Sequence, residues 1–153
     1  MKTKLKKPLN KDLLDKMDVD IATRVMKWKS VWVRGYSTGA FIGGHYPSER
    51  ACKVECKAEQ RPIHLWETSP GITCGKSKEN WSPTRDISAA WEIVEVMRRR
   101  CSIQIDTVGF EPDAFRCVMG WGDDTLSGNA EAPTAQLAIC KAVLDALPRK
   151  KKS

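Results

Sequence analysis

Residues 81–97, WSPTRDISAAWEIVEVM, carry the reading on which the fold turns, because a helix-start signal runs directly into a helix too apolar to face water. The Thr84 hydroxyl can cap an exposed backbone N–H, Asp86 places negative charge in the first turn, and Pro83 marks the boundary. Ile87, Ala90, Trp91, Val94 and Met97 recur at helical spacing. Ala89, Ile93 and Val96 widen that stripe, so the helix is expected to be covered on more than one side. Arg98, Arg99 and Arg100 then end it where cations suit the helix dipole, a structural account that competes with any ligand-binding role for the three.

The pattern changes period immediately downstream. Cys101, Ile103 and Ile105 alternate with Ser102, Gln104 and Asp106, and Phe115, Cys117, Met119 and Trp121 repeat the alternation, which predicts an antiparallel hairpin. Gly120, Gly122, Asp123, Asp124, Gly128 and Asn129 make the next connection, with room for a third strand. A last helix is expected from Pro133 or Thr134 to Leu147, apolar enough to be enclosed. Upstream, Leu14, Met17, Ile21, Val25 and Trp28 predict a first helix over Leu13–Trp28, with Asp12, Asp15, Asp18 and Asp20 toward its start. Between them, residues 30–80 hold scattered Gly and Pro and no helical period, the texture of a loop-rich segment with short strands. The fold class is therefore α+β: a compact α/β sandwich, one small antiparallel sheet packed by three main helices.

The chain has 153 residues and a formal charge of +7, which invites a nucleic-acid reading until the charge is located. Residues 1–11 carry five lysines and residues 149–152 four more cations, without an acid. Removing those nine from 26 basic residues leaves 17 against 19 acidic ones, so residues 12–148 have a formal charge of −2. Residues 1–11 and 149–153 are expected to be solvated basic tails, and 12–148 a single domain. With no run of eighteen apolar residues and no apolar segment in the first eleven, a soluble cytoplasmic protein is expected, with its six cysteines as thiols. Cys101, Cys117 and Cys140 fall on apolar positions and are expected to pack as small hydrophobes.

VMKWK at Val25–Lys29, PTRDISAAWEIVEVM at Pro83–Met97 and APTAQLAICKAVLDAL at Ala132–Leu147 together resemble the phage ABA sandwich domain, a family of small proteins encoded by bacteriophages and prophages. The resemblance spans most of Asp18–Leu147 and implies helices around a small sheet. It implies no catalytic residues.

Five side chains in the loop-rich segment have metal-ligand chemistry: His45, Cys52, Cys56, His64 and Cys74. The Cys52-x3-Cys56 gap is tolerated by zinc, but no second paired half follows, so neither metal nor cofactor is expected. His45 and His64 are the available bases for a Cys- or Ser-dependent hydrolase, and neither lies in a nucleophile signature. Asp123 and Asp124 beside Gly122 read as turn chemistry. Trp28, Trp91 and Trp121 lie on expected core faces, whereas Trp32, Trp66 and Trp81 flank the irregular region. Trp66, Trp81 and Arg85 are the candidate ligand-binding residues, since an indole beside a guanidinium can stack on a base while pairing with a phosphate. The element order from Thr84 onward is shared with double-stranded-RNA-binding domains, but those need lysines at the start of the last helix, where this chain has Glu131, Ala132, Pro133, Thr134 and Ala135. The expectation is a non-enzymatic phage accessory protein acting by binding, to a host protein or to a small anionic nucleotide-type ligand. The alternatives are nucleic-acid binding through the Lys-rich tails and, last, a Cys/His hydrolase.

Overall fold

The computed structural model describes residues 10–38, 41–70, 72–73, 76–109, 114–120 and 126–147, apart from the side chains of 41–44. The elements run α1 (Lys11–Arg24), β1 (Lys29–Tyr36), β2 (Phe41–Tyr46), α2 (Glu49–Glu55), β3 (Gln60–Glu67), α3 (Ile87–Met97), β4 (Ile103–Val108), β5 (Ala114–Met119), β6 (Gly128–Ala132) and α4 (Ala135–Ala146). The class is α+β, and the described residues form four helices and two three-stranded antiparallel sheets ordered β2-β1-β3 and β4-β5-β6. This corrects the expectation of one sheet and three helices. The additional sheet and helix both lie in the segment read as loop-rich. There α2 is only 7 residues long, too short to display a period, and is set by Ser48 accepting the Ala51 N–H at 3.1 Å.

Two helix boundaries differ from expectation for identifiable reasons. α1 stops at Arg24 rather than Trp28 because Lys27 adopts a left-handed backbone with φ of 59°. The Met26 and Trp28 N–H groups then close back on the carbonyls of Ile21 and Ala22, and the chain leaves as β1. α3 begins at Ile87, capped by Asp86 through the Ser88 N–H at 2.9 Å, not by Thr84. Thr84 sits in the preceding turn with its own N–H donated to Asp18 on α1 at 2.9 Å. Trp91, expected in the core, is 50% exposed, because α3 packs against α4 on one side and leaves its opposite side open.

The main core joins Ile21 and Ala22 of α1 and Val25 just after it to Ile93 and Met97 of α3, Cys117 and Met119 of β5, and Ile139, Cys140 and Val143 of α4. β6 lies so close to α4 that a Cβ on Gly128 would fall 2.1 Å from the Ala142 carbonyl oxygen, which explains glycine there. Gly120 leaves β5 with φ of 80° directly under Leu126, where no side chain fits. Cys117 and Cys140 are buried as expected, and burial pushes the Cys117 thiol up to about 11 and the Cys140 thiol well above its ordinary value. A second, smaller core of Val31, Val33 and Leu65, with Ile63 against it, belongs to the first sheet, in which Val31 faces Leu65 and Val33 faces Ile63. Trp121, Asp123, Asp124, Cys74 and the basic stretches 1–9 and 148–153 lie outside the described residues.

Candidate functional site

α1 presents an apolar stripe interrupted by one acid. Asp18 is four residues after Leu14 and three before Ile21, so the helix carries it to the core-facing side, where it is 6% exposed. A buried carboxylate needs hydrogen bonds, and the turn before α3 supplies them. Asp18 accepts the Thr84 N–H at 2.9 Å through Oδ1 and the Ser82 hydroxyl through Oδ2, while Arg85 donates to the same Oδ2 at 3.3 Å. Ser82 in turn accepts the Arg85 Nε–H at 2.7 Å, and Arg85 Nη2 also pairs with Asp15, one turn earlier on α1. The guanidinium is thus shared between two carboxylates and a hydroxyl. Its first role is to lock the 82–85 turn onto α1.

This network forms one side of a cavity of about 820 Å³. The expected residues Trp66, Trp81 and Arg85 all line it, together with Asp15, Asp18, Val19 and Ser82. Lys11 and Lys16 from α1 and Lys78 and Glu79 from the loop after β3 complete the wall. The two indoles are not open stacking platforms, being 1% and 3% exposed. Trp81 rests against Trp28 with ring centroids 4.6 Å apart, which fixes it from behind. Among the described residues neither the Trp66 nor the Trp81 indole N–H has a hydrogen-bond partner, an omission worth about 1–3 kcal/mol for each buried donor.

Behind Trp66 the first sheet carries a row of rings. Trp32 lies opposite His64 and Ser30 opposite Trp66 in the β1–β3 register, so all four share one face. His64 meets Trp32 and Trp66 edge-on at 5.3 and 4.7 Å. Its Nδ1 accepts the Lys78 N–H at 3.3 Å and its Nε2 lies 2.8 Å from the Ser30 hydroxyl. Burial, assisted by the Lys78 charge, lowers its pKa to about 4. With Nδ1 accepting, the ring proton belongs on Nε2, which donates to Ser30 instead of removing its proton. The contact has the residue types of a Ser–His dyad and the wrong tautomer for one. Its evident work is to hold the 76–78 segment, and therefore Lys78, against the cavity.

The remaining candidates disperse. His45 is exposed and pairs with Glu67 at 3.4 Å. Cys52 is buried beside Cys56, and desolvation raises its pKa to about 11, with a smaller increase from that neighbour. Among the described residues no three His, Cys, Asp or Glu side chains are grouped to hold a metal ion. Sequence reasoning missed Asp18, Ser82, Ser30 and Lys78. For Asp18 the signal was available: an acid on the stripe of Leu14, Ile21 and Val25. Ser30 and Lys78 acquire their roles only through strand register and loop path.

The family model for the phage ABA sandwich domain matches residues 20–144 of this chain. Among solved structures, the chain is similar to a phage protein from Bacillus cereus ATCC 14579, at 12% identity over 95% of this chain and 100% of that one, with a TM-score of 0.47. No curated protein matches the sequence. Among the described residues no helix is long and apolar enough to cross a membrane.

Proposed function

This chain belongs to the phage ABA sandwich domain family, and from that premise we propose that it is a phage accessory protein acting by binding, with the cavity between α1, Trp66 and the 81–85 turn as its ligand site. The carrying observation is that Trp66, Trp81 and the three lysines Lys11, Lys16 and Lys78 line one cavity. About 820 Å³ is within the range of small-molecule sites. The chemistry that fits is a small ligand with an anionic group for the lysines and a flat apolar part for the wall of Trp66, Trp81 and Val19, as in a nucleotide. Arg85 contributes by fixing the wall, since Asp15 and Asp18 already hold its charge.

A panel of mono-, di- and cyclic nucleotides in thermal denaturation tests this reading. A ligand at about 100 times its Kd raises Tm by roughly 5–10 °C for a domain of this size. Exchange of Lys16 and Lys78 for Glu should abolish that shift while leaving the unliganded Tm within about 2 °C, both being surface side chains. No shift from any member of the panel, or a shift that survives both exchanges, refutes the assignment.

A further inference from the structure

Helix α2 carries Cys52, and Cys56 caps its end four residues later, so the two side chains stand one turn apart on the same side. They differ in access: Cys52 is fully buried, whereas Cys56 is half-buried. The thiols meet within hydrogen-bonding reach of each other. Other cysteines are placed differently. Cys117 and Cys140 are enclosed in the main core, and the half-buried Cys101 turns back on its own helix, its thiol donating to the Met97 carbonyl at 3.6 Å.

Arg34 of β1 reaches the same end of α2. Its Nη1 donates to the Glu55 carbonyl at 3.4 Å, and its charge acts on the Cys52 thiol in the direction of the thiolate, against the effect of burial. The last turn is already drawn in, since the Cys56 N–H bonds to the carbonyl three residues back, that of Lys53, at 3.2 Å. Cα atoms one helical turn apart are separated by about 6 Å, inside the span that a disulfide bridges. A helix of 7 residues has little cooperativity to resist a further tightening of that turn, which brings the Cβ atoms to the roughly 4 Å that the bridge needs.

We propose that Cys52 and Cys56 are a modification site, a dithiol that closes reversibly to an intrahelical disulfide on reaction with a low-molecular-weight disulfide such as oxidised glutathione. Cys56, the accessible thiol, gives its proton to water and attacks one sulfur of the reagent. The S–S bond of the reagent breaks, and one half leaves as a thiolate that takes up a proton. Cys52, losing its proton beside Arg34, then attacks the Cys56 sulfur of the mixed disulfide. The protein S–S bond forms, the second half leaves and is protonated, and two electrons have passed from the cysteine pair to the reagent. The bridge displaces the last turn from its helical geometry, which makes it readily reduced again. The Glu55 carbonyl held by Arg34 lies inside the closed ring, so closure is felt at the contact between α2 and β1.

Trypsin cleaves after Arg50, Lys53 and Lys57 and so places the two cysteines on separate peptides, residues 51–53 and 54–57. The full chain, incubated with oxidised glutathione under native conditions and then alkylated, should yield these peptides joined, and reduction before alkylation should yield them apart. Cys52→Ser should stop at a glutathione adduct on Cys56. Cys56→Ser, which keeps the buried thiol in place, should take up no glutathione at Cys52. Arg34→Gln should slow closure of the bridge by at least about threefold. A different cysteine pair joined first, or glutathione retained on Cys56 of the parent chain, overturns the proposal. An unchanged rate in Arg34→Gln overturns the part given to the guanidinium.

Discussion

Between Ile87 and Ala146 the chain encloses Ile93, Met97, Cys117, Met119, Ile139 and Val143 almost completely, whereas the sheet between Lys29 and Glu67 closes a separate core around only Val31, Val33 and Leu65. The later region is held by non-directional burial of large side chains, which grows with the apolar area removed from water. The earlier one joins it through Trp66, which packs with Trp28 and Trp81 in the main core, and through directed contacts around that ring: His64 to Lys78, and Lys76 to Glu92 at 2.7 Å, beside the bonds from Asp18 to the 82–85 turn. The difference explains where the cavity lies. Around Trp66 and Trp81 the regions close on each other as apolar surfaces, and beside them Asp15, Asp18, Ser82 and Arg85 keep polar groups at a wall that a ligand can reach.

Three measurements would break or sharpen that contrast. The largest effect is expected in the enclosed core. Ile139→Ala should cost about 3–4 kcal/mol and lower Tm by roughly 10 °C, while Val31→Ala in the small core costs about 2 kcal/mol. Equal losses in denaturant titrations would erase the distinction between the two regions. Next comes the polar wall itself. Asp18→Ala leaves the buried Thr84 N–H and the Ser82 hydroxyl without their acceptor and should cost about 2–3 kcal/mol, with Asp18→Asn in between. A loss under about 0.5 kcal/mol would show that the turn holds without it.

The most specific effect is one of pH. His64 has a folded-state pKa of about 4 against an ordinary 6.5, so protons bind the unfolded chain first. Its contribution to stability is complete above about pH 6.5 and is lost as pH falls toward 4, by roughly 3 kcal/mol. A His64→Gln variant should lack this extra loss when the two proteins are compared over that interval. Parallel pH profiles would place His64 in water rather than between Trp32 and Trp66.

Legibility in the sequence followed the same division. Helix α4 and the β4–β5 hairpin could be read because each repeats its period over a whole element, and Thr134 caps α4 through the Leu137 N–H, close to the expected start. Residues 30–80 could not, because strands interrupted by Gly and Pro and a helix of 7 residues leave no period to detect. Trp91 misled for a related reason: helical spacing identifies an apolar stripe but not how many neighbours will cover it. The candidate site was legible as residue types, with Trp66, Trp81 and Arg85 reaching one cavity, yet each differs in state from expectation. The indoles are buried, and the arginine is held by carboxylates.

What the sequence by itself determined is therefore local and periodic: the α+β class, the family pattern, the strand–helix order after Thr84 and the concentration of positive charge at the two ends. These follow from the 3.6- and 2-residue periods and from composition, which need no knowledge of distant partners. Only the tertiary structure decided that the first region forms its own sheet, that Asp18 and not Thr84 organises the approach to α3, and that His64 carries its proton toward Ser30. Each of these depends on groups far apart in the chain, 66 residues between Asp18 and Thr84 and 34 between Ser30 and His64. A hydrogen bond reaches only about 3 Å, so such pairs exist only once packing has brought their elements together.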